Sequence, residues 1–149
     1  MTDRSLLHST FSLERDYPAG PERVFAAWAD PTAKARWFTG GQADHRLDFR
    51  VDGAERVIAP QHGDQPAMRF EAVYRDIVPN ERIVYTGVLY SDDVPVTVSL
   101  TTVQFEAVDG GTRLLLTEQG AFLDGVEKPQ WREQGTSDQL AALRSEVTT

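Results

Sequence analysis

VPVTVSLTTVQFEAVDGGTRLLLTEQGAF, residues Val94–Phe122, sets two long runs of Val, Thr, Leu and Phe either side of Asp109-Gly110-Gly111. β-branched and aromatic residues suit the pleated, half-buried surface of a sheet. An Asp-Gly-Gly break supplies the positive backbone angles that a tight reversal needs. Val94–Val108 and Thr112–Phe122 are therefore predicted to form an antiparallel hairpin of the two longest consecutive strands. Parity places Val96, Val98 and Leu100 on one face, and Leu114, Leu116 and Glu118 on one face of the partner strand.

The same period-two alternation extends back to residue 45. It predicts strands at His45–Val51, Glu55–Ala59, Ala67–Ile77 and Arg82–Tyr90. Asp52-Gly53, Gln61–Asp64, Val78-Pro79-Asn80 and Ser91–Asp93 punctuate them. Such short turns imply antiparallel neighbours, because parallel pairing needs a long crossover. Phe70, Ala72 and Tyr74 share one parity, as do Ile83, Tyr85 and Leu89.

Before residue 45 the period changes. Leu6–Tyr17 alternates as a first strand, and Pro18-Ala-Gly-Pro21 ends it. Val24, Phe25 and Trp28 then fall at helical spacing, with Pro21 suited to the first helical position. Asp30-Pro31 repeats the device with a capping carboxylate and opens a second short helix that stops at Thr39-Gly40-Gly41. A final helix runs from Pro129 to Val147, with Thr136, Leu140, Leu143 and Val147 as a thin stripe on a polar surface. A helix with one apolar face, following a large sheet, lies across that sheet.

At 149 residues, with 40% apolar and 26% charged residues, the chain is expected to be one domain over residues 1–149. The net charge of −8 repels a phosphate backbone and anionic headgroups alike, so no nucleic acid is expected as a partner. No apolar run approaches the ~20 residues that span a bilayer, so no membrane insertion is expected. The start, MTDRSLLHSTF, lacks the basic and continuously apolar segments of a secretory signal, and a cytoplasmic location is expected. Cysteine is absent, which excludes disulfides and thiolate-bound metals. His8, His45 and His62 are scattered at no ligand spacing, so each is expected to be a surface or structural residue. No metal and no cofactor are expected.

The order strand, two short helices, six strands and long helix is that of the helix-grip fold. Leu13-Glu-Arg15, Pro21-Glu-Arg-Val24-Phe25, Ala27-Trp28, Asp30-Pro31 and Trp37-Phe38 resemble the opening of the START-like (SRPBCC) superfamily. More narrowly they resemble its bacterial branch related to the activator of the 90-kDa heat-shock-protein ATPase. Asp48-Phe-Arg50-Val51-Asp52-Gly53 is similar to that branch's D-x-R-x-G-G hairpin. Tyr74 to Thr86 is similar to its E-I-x-P-x-x-R-L-x-x-T segment. Gly111-Thr112-Arg113-Leu114 with Leu116, and Gly135 with Leu140 and Leu143, complete the likeness. Two positions depart from it: Asp52 stands for the first glycine of the usual pair, and Thr136 stands where the family often carries tryptophan.

The resemblance implies an α+β helix-grip architecture. An antiparallel seven-stranded curved sheet would wrap around the long C-terminal helix, with two short helices after the first strand. It also implies a cavity between sheet and helix. Candidate ligand-binding residues are Trp28, Trp37, Phe38, Phe70, Tyr74, Tyr85, Leu100, Leu116, Glu118, Thr136 and Leu140. The Tyr74 and Tyr85 hydroxyls are candidates to orient a ligand's polar end. Glu118, a carboxylate beside an apolar chamber, is the candidate for acid catalysis; its alternatives are a solvated position beyond the helix or pairing with an arginine such as Arg50 or Arg132.

Three functions follow as expectations. The first is binding of a small hydrophobic or aromatic ligand, lipid-like or polyketide-like, by a cavity that Thr136, Leu140 and Leu143 are too small to fill. The second is an enzyme of cyclase, aromatase or hydrolase type using the same cavity. The third is a co-chaperone-like interaction domain. The partner expected is a small apolar molecule, with a homodimer as a further option and a chaperone the least favoured.

Overall fold

The computed structural model describes residues 4–149. β1 (Leu6–Tyr17) is followed by α1 (Pro21–Ala29) and α2 (Pro31–Thr39). Six strands follow: β2 (Asp44–Leu47), β3 (Ala54–Ala59), β4 (Met68–Val78), β5 (Arg82–Ser91), β6 (Val94–Val108) and β7 (Gly111–Leu123). α3 (Pro129–Val147) closes the chain. The strands form one antiparallel sheet in the order β1-β7-β6-β5-β4-β3-β2. β2 to β7 are thus a meander, and β1 joins its far edge beside β7. α1 and α2 carry the chain from one edge of the sheet to the other, and α3 packs against the curved sheet in the helix-grip manner.

The predicted stripes are the buried ones. Val24, Phe25 and Trp28 bury the inner face of α1, and Leu140, Leu143 and Val147 that of α3. Burial of a side chain of this size contributes about 1.5–3 kcal/mol, so these positions dominate the docking of α3. Polar ties fix its register. The Tyr17 hydroxyl donates to the Leu140 carbonyl at 2.9 Å, and Gln139 donates to the Phe38 carbonyl at 2.9 Å. Asp30 caps α2 as expected, its Oδ2 accepting from the Ala33 amide at 3.0 Å.

Two expectations need correction. β2 ends at Leu47 rather than Val51, because the backbone turns back on itself: Asp48 N donates to Ala54 O and Gly53 N to Arg50 O. At Gly53 a Cβ would lie 2.1 Å from the Asp48 carbonyl oxygen, so no larger residue fits there. Asp52 adopts φ +68°, the left-handed conformation that a glycine would take more easily.

The second correction concerns β6. Leu89 pairs with Thr97 and Tyr90 with Pro95, so Val96 is an extra residue in the β5–β6 ladder. Beyond this bulge the alternation is inverted. Thr97, Ser99, Thr101, Val103 and Phe105 face the interior, whereas Val98 and Leu100 lie on the outer face and are exposed. Leu100 therefore lies on the outer face, away from the cavity lining. The other three parities hold: Ala72 and Tyr74, Ile83 and Tyr85, and Leu114, Leu116 and Glu118 are all buried.

Candidate functional site

Between the inner face of the sheet and α3 lies a cavity of about 270 Å³. That is near the lower end for small-molecule sites. Trp28 and Trp37 wall one side with rings crossed at 65° and 4.7 Å apart. Phe38 continues from Trp37, and Phe70 and Tyr85 line the sheet side. Leu116, Thr136 and Leu140 complete the predicted lining. Phe70 can lie flat on β5 because Gly87 is beneath it: a Cβ there would come within 2.7 Å of Phe70 Cε1.

The polar end is built from β6, β7 and the start of α3. Thr101 donates to Glu118 Oε1 at 2.7 Å, and Arg132 Nε donates to Glu118 Oε2. Arg132 also donates to Glu127 Oε1 at 2.9 Å and to Ser99 Oγ at 3.1 Å. Thr97 donates to the same Glu127 oxygen at 2.6 Å. Burial opposes the guanidinium charge, but Glu118 and Glu127 outweigh it and hold the Arg132 proton more firmly than usual. Burial first, and then the Glu118 charge, push the Tyr85 hydroxyl up, so it stays a protonated donor. Glu118 thus takes the arginine-paired role, with both oxygens engaged. Trp131, from the same turn of helix, lines the cavity yet is 60% exposed, which marks the mouth.

Tyr74 is the second predicted ligand residue placed elsewhere. It is buried behind the aromatic wall in a cluster no sequence pattern announced. Lys34, a fully buried residue of α2, donates from Nζ to Glu55 Oε1 at 2.7 Å and to Tyr74 Oη at 3.0 Å. Tyr74 in turn donates to Glu55 Oε1 at 2.8 Å. His45 Nε2 meets Glu55 Oε2 at 2.7 Å, so His45 is a structural residue. The Tyr74 hydroxyl is committed within this cluster.

Burial works against the Glu55 charge. The Lys34 ammonium and hydrogen bonds from His45, Lys34 and Tyr74 overcome it and hold the carboxyl at about 2. Burial lowers Lys34, with Glu55 opposing. The ammonium also lies 4.5 Å from the centre of the Phe38 ring, where the π face partly replaces lost water.

Sequence reasoning missed Arg132, Glu127 and Trp131 as lining residues, along with Val57, Leu89 and Gln139. Glu127 lies just before α3, and Trp131 and Arg132 lie in its first turn, so no helical periodicity announced their meeting. Among the described residues no group of His, Asp and Glu is arranged to hold a metal ion, and no helix is long and apolar enough to cross a membrane.

The chain is similar to several solved structures. An uncharacterised protein from Rhizobium leguminosarum is 41% identical, with 99% of each chain covered and a TM-score of 0.92. Protein Mll3558 from Rhizobium loti is 45% identical, over 95% of this chain and 99% of its own, with a TM-score of 0.89. Protein CV1439 from Chromobacterium violaceum is 27% identical over 94% and 97%, with a TM-score of 0.78. No match was found among curated proteins. The model of the family described as Activator of Hsp90 ATPase homolog 1-like protein matches residues 18–148, nearly the whole chain. The resemblance read from the opening helices and the final hairpin is thus borne out: the chain belongs to the Activator of Hsp90 ATPase homolog 1-like family, within the START-like group of folds.

Proposed function

We propose that the protein binds a small, largely apolar molecule between its sheet and α3. The observation that carries this reading is the aromatic-walled cavity of about 270 Å³, polar at one end only. Ligand sites combine an apolar lining with a few fixed polar groups in this way, and the family is known for ligand binding. An aromatic or other ring-bearing ligand suits the crossed Trp28 and Trp37 rings and the Phe38, Phe70 and Tyr85 faces. Catalysis is the weaker reading. Glu118 already accepts from Thr101 and Arg132, so an acid/base role would first require those bonds to break.

The test is titration with the neutral fluorophore N-phenyl-1-naphthylamine. Its emission is expected to rise on binding to the wild type and to stay flat with Thr136→Trp, which fills the chamber from α3. Equal emission from both proteins, or none from either, would reject the cavity as the site. For the enzyme reading, Glu118→Gln decides: turnover of any substrate that survives this change removes Glu118 from the chemistry.

A further inference from the structure

We infer that the ligand is an organic cation: a ring-bearing molecule with a protonated nitrogen at the mouth end. The inference rests on the binding function proposed above and adds the ligand's charge.

At the polar end, one guanidinium faces two carboxylates. Arg132 contacts both Glu118 and Glu127, so this wall carries one formal negative charge in excess. The carboxylates are unequally occupied. Glu118 uses both oxygens, through Thr101 and Arg132. Glu127 receives Thr97 and Arg132 on Oε1 alone, and its Oε2 accepts from no protein donor among the described residues. Its side chain is 18% exposed, open enough to be reached from the cavity it lines.

No other group near the cavity reverses this balance. Lys34 is matched by Glu55 behind the aromatic wall. Thr136, Gln139 and Tyr85 are neutral. Lys128 lies 5.7 Å from the Trp131 ring centre, but it is exposed and screened by water. An anionic ligand would therefore meet like charge, whereas a cation would meet a free carboxylate oxygen and the π faces of Tyr85 and Trp131.

The experiment is calorimetric titration of the full chain at low salt and pH 7 with three probes sharing one ring and chain length. These are 2-(2-naphthyl)ethylamine, 2-(2-naphthyl)ethanol and 2-naphthylacetate. The amine is expected to bind about tenfold more tightly than the alcohol, and the acetate more weakly than either. Glu127→Gln is expected to bring the amine to within about twofold of the alcohol.

Equal binding of all three probes, or preference for the acetate, overturns the cation assignment while leaving the binding function standing. Binding of none of them, together with no response to the neutral fluorophore, overturns both. The wild-type ranking decides the question even if a variant fails to fold.

Discussion

The ionic clusters around Glu55 and around Arg132 are built on opposite principles. Around Glu55 the charges balance, every acceptor is filled, and Lys34 and Glu55 have no exposed side-chain surface. Around Arg132 the carboxylates outnumber the cation, one oxygen is free, and the group borders a cavity. A sealed, balanced cluster has nothing left to offer a ligand, and its role is to hold α2 against β3 and β4. An open, unbalanced one retains capacity for recognition. Burial and charge count together, rather than the presence of ionisable residues, separate the sealed cluster from the one that the proposed ligand would meet.

The sharpest way to break this contrast is Lys34→Met. Removing one partner of a buried pair leaves Glu55 uncompensated, and stability is expected to fall by about 3–5 kcal/mol in denaturant unfolding. Adding Glu55→Gln to that variant is expected to restore part of the loss. A fall below about 1 kcal/mol, the range of exposed ion pairs, would show that the cluster is not sealed.

Acid titration follows in size. Glu55 is held at about 2 in the folded protein against an ordinary value of 4.5. The unfolded chain therefore binds the extra proton between these values. Its stabilisation is complete above pH 4.5 and is lost as pH falls toward 2, by about 3 kcal/mol in all. Thermal melts of Glu55→Gln across that window are expected to be flatter than those of the wild type.

Leu143→Ala on α3 is expected to cost about 2–5 kcal/mol in stability in its own right, since the residue is fully buried. It should leave the pH dependence of the Glu55 cluster unchanged, so the two effects separate by acid titration. The smallest change is expected from Glu127→Gln, about 1 kcal/mol in stability, because Gln keeps an Oε1 acceptor and Arg132 keeps Glu118, despite a clear effect on amine binding. A large loss of stability there would move the Arg132 cluster into the structural class as well.

The sequence made the frame legible because strands and helices announce themselves through period. The Asp109-Gly110-Gly111 turn, the Asp30 cap and the α3 stripe each act locally, and each lies where the residues indicate. Most of the aromatic lining was legible for the same reason. Leu100 was misplaced because a bulge reverses parity without a change in composition: Val96, Val98 and Leu100 look like a core face, while the inner face is Thr97, Ser99 and Thr101. Lys34 was invisible because a lysine in a short helix ordinarily faces water, and Glu55, 21 residues on, together with Tyr74 and the Phe38 ring makes its burial tolerable. Tyr74 was drawn into the ligand set by its aromatic ring and hydroxyl on an inward-facing strand position, yet that hydroxyl is engaged with Lys34 and Glu55. The Arg132 cluster joins three elements across the fold, and no periodicity encodes such a meeting.

Gly87 shows that the chamber's size is governed partly by a residue that is not among those lining it. Phe70 rests against β5 only because the backbone beneath it carries no methyl group. Gly87→Ala would lift that ring off the strand and into the chamber, narrowing it from behind while leaving the chemistry of every wall unchanged. Relatives that share all the lining residues could thus accept ligands of different girth, according to whether the carbon at this one position is present.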